Sequence, residues 1–179
     1  MLRILLADDH SVVRQGIKQI LTGAYNQAKF GEAGNAHELR ELIGSENWDI
    51  VVLDLAMPEG NGLEILKQIK HDYPKMPVLI LSMFPEDQYA LRTIKAGAAG
   101  YLNKESAPEE LISAIRKVAT GRRYISSKLA DEMDAELEAR IAEELKRYAR
   151  TVDPLIEQGL SPMGMKAWEW LKKIKERRA

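Results

Sequence analysis

Five side chains of this 179-residue chain are able to act as one chemical set: the carboxylates of Asp8, Asp9 and Asp54, the hydroxyl of Ser82 and the ammonium of Lys104. Each has a plainer reading by itself. An Asp-Asp pair is usually a solvated turn, a Ser after a strand usually caps the next element, and a Lys there is usually surface. Brought together they mean something else. Clustered carboxylates repel one another, at a cost that burial increases. A divalent cation resolves the conflict, and oxygen ligands with no Cys or His cluster point to Mg2+ or Mn2+ rather than zinc. A lysine pairs with a carboxylate or an added phosphoryl group, and a small hydroxyl hydrogen-bonds a phosphoryl oxygen. Carboxylate nucleophile, cation, lysine and hydroxyl together describe an aspartyl-phosphate site.

The elements decide whether these groups meet. Ile50-Val51-Val52-Leu53 is a continuous apolar run, as in a strand buried on both faces. It delivers Asp54 to the strand's C-terminal end, where open α/β sheets place their chemistry. The stretch Met57-Pro58-Glu59-Gly60-Asn61-Gly62 then turns the chain away. Residues 3–7 make a first strand ending at Asp8-Asp9-His10. Ser11 reads as the N-cap of a helix through Leu21, with Val12, Val13, Ile17, Ile20 and Leu21 on its buried side. Residues 30–33 are a weak second strand, 36–43 and 63–71 are helices, and 78–81 is a strand ending at Ser82. A helix over 85–96 stops at Gly97, a strand over 100–103 ends at Lys104, and a helix over 108–120 starts with Pro108 in its first turn. Glu109 and Glu110 suit the positive end of that helix.

Five strands alternating with five helices predict a doubly wound parallel sheet with right-handed crossovers. The expected order is 2-1-3-4-5, with its topological switch between strands 1 and 3. Those strands end at Asp8-Asp9 and at Asp54, and Ser82 and Lys104 end strands 4 and 5 on the same edge. The set therefore converges by topology alone.

Composition narrows the setting. A 45% hydrophobic share is ordinary for a soluble globular chain, and a formal net charge of -1 gives no bulk argument for nucleic acid or membranes. The absence of cysteine excludes disulfides and thiolate metal sites and fits a reducing compartment. No apolar run approaches the roughly 18 residues of a membrane span, and the N-terminus lacks a signal-peptide pattern. The expectation is a cytoplasmic protein with no membrane partner.

The first 120 or so residues resemble a bacterial two-component response-regulator receiver domain, a flavodoxin-like fold. The resemblance is carried by Asp8-Asp9, Asp54-Leu55-Ala56-Met57-Pro58 with Gly62, Ser82, Tyr101 and Lys104. It implies that Asp54 accepts a phosphoryl group from a sensor histidine kinase. It implies further that Asp9 and Asp54 hold Mg2+, with Asp8 acting through water and the Ala56 carbonyl as a further ligand. Lys104 would contact the phosphoryl group, Ser82 would move to bind it, and Tyr101 would be the switch aromatic that turns inward when Ser82 moves. From pattern alone Tyr101 reads as a half-buried strand aromatic. The segments Asp8-Asp9-His10, Ala96-Gly97-Ala98-Ala99-Gly100-Tyr101-Leu102 and Lys104-Glu105-Ser106-Ala107-Pro108-Glu109-Glu110-Leu111 resemble the subfamily that usually carries a LuxR-type helix-turn-helix. Two residues depart from the general receiver pattern: Glu105 stands where many receivers have Pro, and Met83 where a small residue is usual, narrowing access to the phosphorylated site.

The receiver is expected over residues 1–123 and a different helical tail over 124–179. Gly121-Arg122-Arg123-Tyr124-Ile125-Ser126 still resembles the subfamily's exit from the receiver, but no LuxR-type module follows. Residues 127–152 read as one long helix with an apolar stripe at Leu129, Met133, Leu137, Ile141, Leu145, Tyr148 and Val152, its later part close to a heptad seam. A break is expected over 153–161, at Asp153-Pro154, and a last helix over 162–178 carries Met163, Ala167, Trp168, Leu171 and Ile174. Such faces need a partner, the receiver or a second copy.

The leading expectation is a phosphorylation-switched signalling protein that is no enzyme beyond acting on its own aspartate, and whose tail makes a homodimer. One alternative is a transcription regulator with a shortened, unorthodox DNA-binding end, for which Lys166, Lys172, Lys173, Lys175, Arg177 and Arg178 supply positive charge. The tail's Ala/Glu/Lys/Arg-rich character also resembles engineered helices, so a receiver-helix fusion is a further alternative. An aspartate-nucleophile phosphatase ranks last, because Ala56 cannot supply the general acid such an enzyme needs two residues after its nucleophile.

Overall fold

The computed structural model describes residues 1–58 and 61–157, with side chains through 148 and at 150. Short Val/Ile/Leu runs form strands buried on both faces, and the intervening three- and four-residue apolar spacings form helices. The elements are β1 (Arg3–Ala7), α1 (Ser11–Ala24), β2 (Lys29–Ala33), α2 (Ala36–Ser45), β3 (Ile50–Leu53), α3 (Gly62–Asp72), β4 (Val78–Ser82), α4 (Glu86–Lys95), β5 (Gly100–Asn103), α5 (Ala107–Ala119) and α6 (Ser127–Glu157). The first ten build a five-stranded parallel sheet in the order β2-β1-β3-β4-β5, as expected.

Strand pleating divides the core. Ile4, Leu6, Ile50, Val52, Leu79, Leu81 and Leu102 pack with Ile17 and Leu21 of α1 and with Leu111, Ile115 and Val118 of α5. The alternating residues Leu5, Val51, Leu53 and Ile80 are equally buried, and the period of two points them to the other face. There α2 packs on β1 and β2, and α4 packs on β5. Register then sets what emerges at the edge. Ala7 pairs with Leu53 and Ser82 pairs with Asn103, so Asp8 and Asp54 leave adjacent strands side by side, as do Met83 and Lys104.

Three local expectations need correction. Ser11 is the first residue of α1 rather than its N-cap; His10 holds the cap position in an extended conformation with no side-chain cap bond. The cause is Asp8, whose Oδ1 takes the His10 amide at 2.8 Å and so shapes the turn before the helix. Val12 is 83% exposed rather than buried. At about 100° per residue it lies on the far side of α1 from Ile17 and Leu21. The long helix α6 runs through Asp153 and Pro154 to Glu157, where the sequence suggests a break. A proline inside a helix removes one i→i−4 hydrogen bond and kinks the chain without having to end it. The helix expected over 162–178 lies outside the described residues.

The chain divides into two compact units, residues 1–130 and 131–179. The first continues past the expected receiver end at 123 because Tyr124 joins the sheet edge. Its amide donates to the Ala99 carbonyl at 2.9 Å and its carbonyl accepts from the Tyr101 amide at 3.1 Å. Ser126 Oγ then accepts the Leu129 amide at 3.1 Å, capping the start of α6, and Leu129 is buried. Within the second unit, the described part of α6 is a charged helix with Leu137, Ile141 and Tyr148 exposed.

Candidate functional site

At the C-terminal edge of the sheet, backbone hydrogen bonds hold the strand ends in place before any side chain acts. The Asp54 amide donates to the Ala7 carbonyl at 2.8 Å, the Asp8 amide to the Ala33 carbonyl at 3.1 Å, and the Lys104 amide to the Ser82 carbonyl at 2.9 Å. Arg14 reinforces the β1 end by donating from Nη1 to the Asp8 carbonyl and from Nε to Glu32 Oε2 at 3.1 Å. Lys18 also pairs with Glu32, and these two cations hold the Glu32 carboxyl below the usual range against the opposing pull of burial.

Asp8 and Asp54 are buried, at 3% and 2% exposure, which for carboxylates demands compensation. Lys104 supplies it. Its Nζ lies 2.7 Å from Asp8 Oδ2 and 2.7 Å from Asp54 Oδ2, bridging the two. Desolvation pulls the Lys104 pKa down, but the hydrogen bonds and charges of Asp54 and Asp8 outweigh it and hold the ammonium above the ordinary lysine value. The other Asp54 oxygen, Oδ1, accepts from the Ala56 amide at 3.2 Å.

Asp9 completes the acidic group from the exposed side. Asp8, Asp9, Asp54 and His10 each offer a ligand atom, all within 4.8 Å of one another. His10 is the member that residue-type reasoning missed. Its Nδ1 lies 2.9 Å from Asp9 Oδ1 and 3.3 Å from Asp8 Oδ1, although its side chain is 63% exposed. Its adjacency to Asp8-Asp9 was the available signal, and the Asp8–His10 turn is what folds the ring back. The donor set remains mainly carboxylate oxygen, and two carboxylates share one lysine, so the residues present fit a hard divalent cation.

Ser82 is fully buried at the end of β4, and its Oγ accepts from the Phe84 amide at 3.3 Å. Tyr101 is buried at 3% exposure rather than half-buried, with its hydroxyl donating to the Phe84 carbonyl at 2.7 Å and also hydrogen-bonded to Ser82. Burial, with smaller contributions from nearby Glu86 and Asp54, pushes the Tyr101 phenol up to about 12, the Ser82 bond opposing it. The β4–α4 turn is thus tied to the β5 aromatic. Met83 stands 60% exposed on that turn, and Phe84 stacks on Tyr89 with ring centroids 4.5 Å apart.

On the other side, the loop after Asp54 folds tightly onto α3. Asn61 caps α3 by accepting the Leu63 amide at 3.0 Å. A Cβ on Gly62 would fall 2.4 Å from Leu55 Cα and 2.7 Å from the Leu55 carbonyl oxygen, so only glycine permits this approach. Of the residues expected at the site, Asp8, Asp54 and Lys104 are in direct contact, Asp9 adjoins them, and Ser82 and Tyr101 form a linked pair on the neighbouring strands. Ala56 reaches Asp54 through its amide.

Comparison with known proteins gives the same picture from a different direction. Residues 4–116 match the response regulator receiver domain family. Response regulator UvrY of Escherichia coli K12 is 37% identical over 133 residues, covering 74% of this chain and 61% of UvrY, so the chain spans about three-fifths of that relative's length. The transcriptional regulatory protein DegU of Brevibacillus brevis is 31% identical over 173 residues, covering 97% of this chain and 68% of DegU. Among solved structures, a LuxR-family two-component response regulator from Aurantimonas sp. SI85-9A1 superposes with a TM-score of 0.67 at 36% identity, covering 75% of this chain and 96% of that one.

Proposed function

The chain belongs to the response regulator receiver domain family, and on that premise we propose that it is a phosphorylation-activated response regulator of a two-component phosphorelay. In this reading a sensor histidine kinase supplies the phosphoryl group, Asp54 accepts it, and the helical tail beyond the 1–123 receiver changes its self-association. The observation that carries the reading is the Lys104 ammonium held between the buried Asp8 and Asp54 at the strand ends, 2.7 Å from each. A structural ion pair needs one carboxylate per lysine. A lysine shared by two buried carboxylates, with a third beside them, leaves anionic charge for a cation and a place for an incoming phosphoryl group.

The chemistry follows from these positions. Asp54 attacks phosphorus in line; a P–O bond forms to its carboxylate as the P–N bond to the kinase imidazole breaks, and the imidazole takes up a proton. Asp9 and Asp54, with Asp8 through water and the Ala56 carbonyl, would hold Mg2+. When bound, the ion neutralises charge on the phosphoryl oxygens. Lys104 transfers its ion pair from the carboxylates to the new phosphoryl oxygens. Ser82 offers its hydroxyl to one of those oxygens, and because the Phe84 amide and the Tyr101 hydroxyl are hydrogen-bonded to it, the β4–α4 turn answers to what Ser82 contacts. The protein acts only on its own aspartate. No helix among the described residues is long and apolar enough to cross a membrane, and we place the protein in the cytoplasm with its kinase's catalytic portion.

Incubation with a small phosphodonor and Mg2+ tests the acceptor. Wild type gains one phosphoryl group by intact mass, and Asp54→Ala gains none; equal modification of both refutes the assignment. Light scattering with Mg2+ alone and with Mg2+ plus beryllofluoride tests the switch, which predicts a larger species with the phosphoryl mimic.

The match to DegU over 97% of the chain favours a second reading, in which the tail belongs to a DNA-binding transcription regulator. That reading predicts duplex DNA binding that weakens steeply with salt, and its absence at low salt refutes it.

A further inference from the structure

We propose that α6 pairs antiparallel with α6 of a second copy of this chain, about a two-fold axis at Ile141. This rests on the reading that the tail self-associates, and it adds the face, polarity and register of the contact. Leu137, Ile141 and Tyr148 are 54%, 48% and 45% exposed. With the half-buried Met133 and Leu145 they form one stripe at steps of four and three residues.

Charge decides the occupant and its direction. Asp131, Glu132, Asp134, Glu136 and Glu138 crowd the N-terminal part of the helix, while Lys146, Arg147 and Arg150 crowd the later part. Pairs within the helix, such as Lys146–Glu143 and Arg147–Glu144, leave this segregation in place. A parallel in-register pair sets acids beside acids and bases beside bases, which is unfavourable at close range. The antiparallel arrangement sets the acidic part of one copy against the more basic part of the other.

The register comes from the apolar and charged residues independently. Centring the two-fold axis on Ile141 puts Leu137 of one copy beside Leu145 of the other. A two-fold axis perpendicular to the helices also makes each flank of the stripe face itself. At about 100° per residue, Glu136, Arg140, Glu144 and Arg147 share one flank of the stripe. Across the axis Glu136 then meets Arg147, and Arg140 meets Glu144. Flanking charges of this kind set orientation more than strength. The overlap, residues 131–151, is about 30 Å long.

The absence of cysteine makes geometry directly readable. Leu137→Cys, Ile141→Cys and Leu145→Cys are made singly in the full chain, and oxidative cross-linking is measured with Mg2+ alone and with Mg2+ plus beryllofluoride, alongside light scattering. The expected result is that Ile141→Cys cross-links to itself, Leu137→Cys and Leu145→Cys do not, and an equal mixture of those two does. In the antiparallel pair two copies of position 137 are about 12 Å apart along the axis, beyond the roughly 7 Å limit of a disulfide. A dimer in which Leu137→Cys cross-links to itself overturns the polarity and leaves tail self-association standing. A dimer with no cross-link at any of the three overturns the proposed face. A monomer in both conditions overturns self-association and the pairing together. A second variant pair is independent of thiol chemistry. Arg147→Glu weakens the dimer about tenfold, and combining it with Glu136→Arg restores it; failure of the restoration refutes the register.

Discussion

Removing Lys104 exposes the energetic conflict on which the site is built. Lys104→Met keeps the length of the side chain and deletes its charge, leaving Asp8 and Asp54 buried at 3% and 2% exposure with no cation between them. At 2.7 Å each contact is worth about 6 kcal/mol at an effective dielectric of 20, set against several kcal/mol of desolvation for each ion. Breaking such an arrangement costs about 3–5 kcal/mol. At roughly 4 °C per kcal/mol for a unit of this size, the metal-free melting temperature at pH 7 falls by about 12–20 °C. The pH dependence has a definite sign. The wild-type lysine, raised in the fold, contributes fully below its ordinary value of 10.5 and loses that contribution only as pH rises beyond it. The variant's deficit therefore persists below pH 10.5 and narrows only above it, as the wild-type lysine loses its proton. Mg2+ raises the variant's melting temperature more than the wild type's, since it restores positive charge at the same oxygens. Thermal melts followed by circular dichroism, with and without Mg2+, measure all of this. A metal-free shift under about 3 °C at pH 7, with no pH dependence, refutes the argument that this lysine holds the site together.

Three further perturbations separate local causes. Gly62→Ala forces a methyl group against the Leu55 backbone, so it lowers stability by about 1–3 kcal/mol and slows phosphoryl uptake at the neighbouring Asp54; an unchanged melt and uptake rate contradict this. Because the Tyr101 phenol is pushed from its ordinary value of 10.0 up to about 12, the folded state holds that proton more tightly and stability declines as pH rises from 10 toward 12. A tyrosinate absorbance titration should show a late-ionising class that loses one member in Tyr101→Phe, and simultaneous ionisation of every tyrosine near 10 excludes it. Leu111→Ala, at a fully buried position of α5, costs about 2–5 kcal/mol but leaves the response of stability to Mg2+ as in wild type, which thermal melts at several Mg2+ concentrations check.

The apolar runs at 50–53 and 78–81 and the alternation around them are enough to determine a parallel sheet, because residues buried on both faces leave no polar side for an antiparallel edge. Connection rules then bring the ends of strands 1, 3, 4 and 5 to one edge, so the gathering of Asp8, Asp9, Asp54, Ser82 and Lys104 was legible before any contact was known. Only the tertiary structure could decide what those side chains do on arrival. That one ammonium spans Asp8 and Asp54, that the Asp8–His10 turn brings the imidazole to the carboxylates, and that Tyr101 is buried beneath the Phe84 turn all depend on distances of a few ångströms between separate strands. Val12 is exposed for the related reason that an apolar type does not say which side of a helix its neighbours occupy. The extension of α6 through Pro154 was hidden because proline's local preference against helix is weighed, in the folded chain, against the hydrogen bonds on either side of it. Patterns with a period survive in the sequence because they repeat over many residues; single contacts do not, because each is set by one register between distant parts of the chain.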